Sequence, residues 1–229
     1  EADEYDKSFF YLNPNIILIS SLDRDHSDTY PTFSEMKAAY KHFVYKNRTE
    51  LSEIILKKDI QINFPEFKYV FEYSIISNAD YSLNYKKNNL GDYTISITES
   101  KKNSNNLKKF TEINVPFQPE YNLENFLAAS TIALRLGLSI NNISLGINTF
   151  LGVKRRFEYH IRNKSQIFIE DYAHHPSEIN SLIISIRKMY KSKKITMIFQ
   201  PHLYSRTKDF LHDFASALSK VDSLILLDI

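Results

Sequence analysis

Short apolar runs that end in dense polar clusters organise this chain. Ile16 to Ser20, Gln166 to Ile169 and Ile195 to Phe199 each read as a buried strand, because each is a brief, branched or aromatic run closed by turn-forming residues. The clusters that follow them are Asp23 to Pro31 (DRDHSDTYP), Glu170 to Glu178 (EDYAHHPSE) and Phe199 to Thr207 (FQPHLYSRT). Helical spacing appears in Thr32 to Lys46, where Phe33, Met36, Ala39, Tyr40 and Phe43 share one face. From Ile54 to Val115 the period shortens to strand-like runs such as Val70 to Ile76, Tyr93 to Thr98 and Glu112 to Val115. The polar insert Lys101 to Asn106 reads as an exposed hairpin tip.

Two further helices are expected near Leu123 to Leu136 and Ile140 to Phe150, with Gly137 as a C-cap. Gly152 to Arg156 reads as a junction, which divides the chain into domains 1–151 and 152–229. Beyond it the pattern predicts a hairpin (Phe157 to Ile161 with Gln166 to Ile169), then helix, strand, helix, strand. Pro176 suits a first helical position and Glu178 the third, from which a carboxylate reaches back to the cap. Ile179, Leu182, Ile183, Ile186 and Met189 form the apolar stripe of that helix, and Phe210, Leu211, Phe214 and Leu218 that of the next, before the strand Leu224 to Leu227. Crossovers of this length predict an α/β fold with a parallel sheet and right-handed connections. The opening Glu1, with no methionine, and the stop at Ile229 directly after a strand lead us to expect further chain at both ends.

Composition narrows the chemistry. The 229 residues are 43% hydrophobic and 24% charged, ordinary for a globular protein, and no apolar stretch approaches the ~20 residues that span a bilayer. Zero cysteines exclude disulfides and thiolate metal sites and fit a cytoplasmic protein. A net charge of +2 gives no long-range attraction to nucleic acid. Four glycines and no GxGxxG or GxxxxGK[ST] mean that these residues contain no glycine-rich phosphate cradle. If the protein handles ATP, its phosphate loop is expected outside them.

In a parallel α/β sheet ligands bind beyond the carboxyl ends of the strands, where these clusters fall. Asp25 and His26 offer oxygen and neutral nitrogen to a divalent metal, although Asp, Ser and Thr there also suit a helix cap. Asp171, His174 and His175 stand between a strand and a helix N-terminus, a place that attracts anions; His175 is also placed to cap the helix. His202 and Arg206 leave the next strand, and the planar guanidinium of Arg206 matches a carboxylate or phosphate. Arg155 and Arg156 could touch ribose or phosphate, or be a solvated junction. Asn122 and Asn125 could pair with adenine or serve a helix start.

Taken together these segments resemble the Mur ligases. The similarity is carried by EADEYDKSF at Glu1, DRDHSDTY at Asp23, YNLEN at Tyr121, GVKRRFE at Gly152, EDYAHHPSE at Glu170 and FQPHLYSRTKDF at Phe199, in that order along the chain. The resemblance implies the second half of a central P-loop-type ATPase domain followed by a Rossmann-like C-terminal domain, and places the phosphate loop in a preceding segment. It also implies an ATP- and Mg²⁺-dependent ligase of peptidoglycan precursor synthesis, with UDP-N-acetylmuramate and L-alanine as substrates and hinge closure near Gly152.

Carried over residue by residue, the resemblance assigns Glu1 and His26 to the metal, Asn122 and Asn125 to adenine, and Arg156 and Asp171 to ribose and phosphate. His174, His202 and Arg206 fall to the muramate or alanine side, with His26, His174 and Arg206 closest to the chemistry. Three positions depart from the family pattern. Tyr121 stands where a His is common, Leu203 where many members have Arg, and Tyr40, beside Lys41, where sister ligases carry a carbamylated lysine. The competing readings are a murein-tripeptide recycling ligase of the same family and a non-catalytic nucleotide-binding fragment. A metal-dependent phosphohydrolase lacks the convergent carboxylates it would need.

Overall fold

The computed structural model describes residues 4–23, 29–76, 78–87, 92–100, 107–109, 113–115 and 119–229. They fall into two units, Glu1–Asn148 and Thr149–Ile229. The expected hairpin tip at Lys101 to Asn106 lies outside the described residues.

The first unit is built on a seven-stranded sheet. Strands β1 (Ile16–Ile19), β2 (Glu53–Lys57), β3 (Tyr69–Ser74), β4 (Tyr81–Lys87), β5 (Tyr93–Ser100) and β6 (Leu107–Lys109) follow one another in space, and β7 (Ile113–Val115) also pairs with β5. The first four run parallel, β5 runs antiparallel to β4, and β6 and β7 each pair antiparallel with β5. β4 joins β3 through only two register pairs, Tyr73 with Tyr81 and Ser74 with Ser82, so the chain steps sideways there without a helical crossover.

Alternation along the strands feeds two cores. Ile17, Ile19, Ile54 and Leu56 pack with Met36, Phe43 and Val44 of α1 (Phe33–Lys46), while Ile55, Tyr73, Leu83 and Ile95 pack with Leu123 and Leu127 of α2 (Glu120–Arg135). Neighbours Ile54 and Ile55 are both fully buried, on opposite faces, because helices cover both sides of β2. α1 starts where Thr32 accepts the Glu35 amide, and α2 stops at a Schellman turn. There Gly137, at φ +83°, donates to Leu134 O and Leu138 donates to Ala133 O. α3 (Ile140–Thr149) closes the unit. Arg135 fastens α2 to β2 by a two-point pair with Glu53 at 2.6 and 2.8 Å.

In the second unit β8 (Glu158–Arg162) and β9 (Ile167–Glu170) form the expected hairpin, with a bulge between Tyr159 and Ile161. α4 (Pro176–Met189) leads to β10 (Thr196–Phe199), then α5 (Tyr204–Asp209), α6 (Leu211–Leu218) and β11 (Ser223–Leu226). β10 and β11 are parallel, but β8 and β9 form a separate two-stranded sheet, so the parallel part is narrower than the pattern predicts. The second helix is also two, broken at Phe210 (φ −111°), and Leu211 is exposed while Phe214, Ala217 and Leu218 are buried. Ile179 and Ile183 of α4 meet Ile195, Phe199 and Phe214 in the core. No helix among the described residues is long and apolar enough to cross a membrane.

Candidate active site

α4 begins as its sequence predicts. Pro176 takes the first helical position, the His175 ring accepts the Ser177 amide, and Glu178 Oε2 accepts the amides of His175 (3.2 Å) and His174 (2.9 Å). His175 is therefore the cap, with its ring edge-on to Phe210. His174 is held differently. Its Nδ1 lies 2.8 Å from the Tyr172 carbonyl oxygen, which can only accept, so Nδ1 carries a proton and Nε2 is the acceptor of the neutral ring.

Asp171, directly after β9, ties the loop to the segment before β8. Its Oδ2 accepts from Phe157 N and its Oδ1 from Ala173 N, each at 2.8 Å. Burial pushes this carboxyl above the ordinary aspartate value, against the pull of those two amides and of Arg156. Arg155 and Phe157 both adopt positive φ, 58° and 52°, a conformation that costs side-chain-bearing residues energy. The strained turn sets two guanidinium groups against Tyr172, with Arg155 4.7 Å and Arg156 5.8 Å from the ring centroid. Arg156 also lies 3.9 Å from Glu178 Oε1.

The same tyrosine gathers the histidines. The His174 ring is 4.9 Å and the His202 ring 6.2 Å from Tyr172, and the two imidazoles are 6.0 Å apart. Five of the residues singled out in the sequence (Arg155, Arg156, Asp171, His174 and His202) thus share one neighbourhood, and Tyr172 at its centre went unassigned. An aromatic residue placed between the acid and the histidines is the signal that could have found it. Arg206, on α5, is only 5% exposed and is the one charged residue among the buried polar residues described. It is therefore not an ordinary surface charge. Two basic side chains, two imidazoles and a half-buried carboxyl at two strand exits can bind an anionic group and move a proton.

In the first unit Asn122 is half-buried and Asn125 exposed, three residues apart on the first turns of α2 and so on one flank of it. Glu1 and His26 lie outside the described residues, but their flanks meet. Thr29 Oγ1 donates to Tyr5 O at 3.3 Å, Lys7 Nζ sits 5.0 Å over the Tyr30 ring, and the Tyr40 hydroxyl donates to Glu4. The Tyr30 hydroxyl is buried without a hydrogen-bond partner among the described residues.

The architecture is that of an α/β protein whose strand exits gather basic and imidazole side chains, and comparison makes the class specific. Residues 2–133 match the Mur ligase middle domain, and residues 155–228 the glutamate ligase domain of Mur ligases. The chain belongs to the Mur ligase family. It is 38% identical over 201 residues to the UDP-N-acetylmuramate–L-alanine ligase of Christiangramia forsetii, a match that covers 88% of this chain and 42% of that protein. The enzyme of the same name from Cytophaga hutchinsonii is 36% identical over 206 residues, with the same coverage. The chain thus spans less than half the length of these relatives. Among solved structures, the UDP-N-acetylmuramate–alanine ligase MurC of Thermotoga maritima superposes with a TM-score of 0.71 at 19% identity, covering 96% of this chain and 47% of that one. This last likeness concerns the fold alone.

Proposed function

We propose that this chain supplies part of the nucleotide site and the amino-acid end of an ATP-dependent ligase that joins L-alanine to UDP-N-acetylmuramate. The observation that carries the reading is the gathering of Arg155, Arg156, Asp171, His174 and His202 around Tyr172. It is supported by relatives of that name at 36–38% identity. In the proposed reaction a muramate carboxylate oxygen attacks the γ-phosphorus of ATP and ADP leaves. The alanine nitrogen then attacks the acyl carbonyl carbon, gives up a proton, and phosphate departs with its bonding electrons.

Each side chain has a part in this. Asn122 and Asn125 would present amides to adenine, and Arg156 would meet ribose or phosphate oxygens. Asp171 fixes the turn that carries Arg156, and its carboxyl is assigned with it to the ribose and phosphate. His174, with its proton on Nδ1, offers Nε2 as the acceptor of a proton from the alanine amine. His202 and Arg206 would balance the carboxylate and phosphate charge, a contribution typically worth ~3 kcal/mol for a single well-placed donor. Hinge closure near Gly152, where φ is +90°, belongs to the same proposal.

Mg²⁺ would be held through Glu1 and His26, an oxygen and imidazole donor set completed by water, and when bound it would neutralise phosphate charge. The contacts of Tyr5 with Thr29 and of Lys7 with Tyr30 support a shared position for the two segments. Tyr40, bonded to Glu4, stands where sister ligases use a carbamylated lysine, so no carbamate is assigned.

The test is a chimera in which this chain replaces the matching 201-residue stretch of the Christiangramia forsetii enzyme. ATP-dependent product with L-alanine is the expected result. Product only with a tripeptide would assign the chain to murein recycling. A folded, nucleotide-binding chimera that makes neither amide would leave a non-catalytic nucleotide-binding fragment.

A further inference from the structure

On the β8–β9 hairpin Glu158, His160 and Glu170 each present one ligand atom, and the three atoms all lie within 4.8 Å of one another. Glu158 and Glu170 are direct cross-strand partners. Like charges placed opposite each other on neighbouring strands repel, so a cation held between them would relieve the pair. His160 is the extra residue of the bulge, since Tyr159 pairs with Ile169 and Ile161 with Phe168. The bulge turns the imidazole to the face of Phe168 and Glu170, with its ring 5.2 Å from that of Phe168 and its Nε2 2.8 Å from Glu170 Oε2. A bulge that re-aims one side chain onto two carboxylates is a specific arrangement, distinct from a run of surface acids.

We propose that Glu158, His160 and Glu170 form a binding site for a divalent transition metal of the Zn²⁺ class. One imidazole and two carboxylates, with water completing the shell, suit Zn²⁺, Ni²⁺ or Co²⁺; Mg²⁺ demands octahedral oxygen and dehydrates reluctantly. Bonds of ~2.0–2.2 Å require the three atoms to draw in slightly from their present spacing, which side-chain rotation supplies at this accessible site. The inference stands apart from the proposed ligase reaction.

Arg155 is the group a metal must displace. Its Nε is 3.1 Å from Glu170 Oε1, and its backbone N donates to Glu158 Oε2 at 2.7 Å. The ion pair is open to solvent, with the two side chains 59% and 40% exposed, and such pairs stabilise weakly. The guanidinium already stacks on Tyr172, so it keeps that platform when it releases the carboxylate. The backbone bond to Glu158 uses one carboxylate oxygen and leaves the other to ligate. Metal binding would therefore reach the neighbouring Arg156–Asp171 turn through Arg155.

The experiment is titration of the full chain with Zn²⁺ by calorimetry, and with Co²⁺ by visible absorption, near neutral pH. One saturable equivalent is expected in the parent, weakened by at least about tenfold in His160→Ala and in Glu170→Gln. His174→Ala should leave this equivalent in place, which separates it from the other imidazoles. Selective Ni²⁺ broadening of the His160 ring resonances reports the site in the unaltered chain, so the proposal does not depend on a variant that folds. Absence of saturable binding would overturn it. So would binding unchanged by His160→Ala, or broadening centred on His174 and His202.

Discussion

Oδ2 of Asp171 accepts the backbone amide of Phe157 at 2.8 Å, across a turn in which Phe157 itself sits at φ +52°. The carboxylate therefore holds a strained residue in place, and Arg156 is aimed by that strain. Replacing Asp171 with Ala removes two amide acceptors from a half-buried position and should cost about 2–3 kcal/mol of stability in the second unit. Asp171→Asn keeps one good acceptor and should cost about half as much. Urea unfolding followed by circular dichroism measures both, and equal losses would show that the two bonds are not separately important.

Part of this site was legible in the sequence, and the reasons differ by residue. Pro176 and Glu178 announce the start of α4 because a helix N-terminus has fixed chemical needs, and the structure meets them through His175. Gly137 announces the end of α2 for the same reason. Tyr81–Lys87 becomes the long strand β4 although half its residues are polar, because its partners β3 and β5 supply the ladder. The positive φ of Arg155 and Phe157 carries no sequence signal, since no glycine marks it. The burial of Arg206 was hidden too, because its exposed and polar neighbours give no sign of an interior position.

Two glycines should respond in opposite senses to the same change. Gly137 closes the Schellman turn of α2 at φ +83°, and alanine there should cost about 1 kcal/mol although nothing lies within 4 Å of the added carbon. Gly146 lies inside α3 in ordinary helical conformation with the same open space, so Gly146→Ala should stabilise by about 0.5–1 kcal/mol. Thermal or urea unfolding of the two variants checks the pair, and a common sign would refute the conformational argument.

Acid should weaken the second unit partly through Asp222. Its carboxylate accepts from the Ile195 amide at 2.7 Å and lies 2.7 Å from Arg187, and these partners hold it below the ordinary aspartate value of 3.8. A depressed carboxyl contributes stability above its unfolded pKa, and that contribution disappears as pH falls through the folded value. Asp222→Asn should therefore destabilise at neutral pH and lose most of its effect in strong acid. Unfolding curves at the two pH values test this, and a pH-independent difference would assign the effect to packing.

Arg206 is the residue at which structure most changes the expectation. The sequence placed it in a polar loop beside the departure Leu203, yet it is 5% exposed while Leu203 and its neighbour Tyr204 are 39% and 74% exposed. A charged fork kept inside the protein must direct its five donors at fixed acceptors, and lysine cannot reproduce that plane. Arg206→Lys in the chimeric ligase should therefore lower kcat/KM by at least about tenfold, a loss of ~1.4 kcal/mol in transition-state stabilisation. The loss should appear mainly in kcat if the guanidinium meets charge that develops during transfer, and mainly in KM if it only binds the substrate carboxylate. Stability should be measured on the same variant. Unchanged kinetics with a lowered unfolding midpoint would make Arg206 a cation of the interior, and leave His174 and His202 to hold the anionic substrate beside Tyr172.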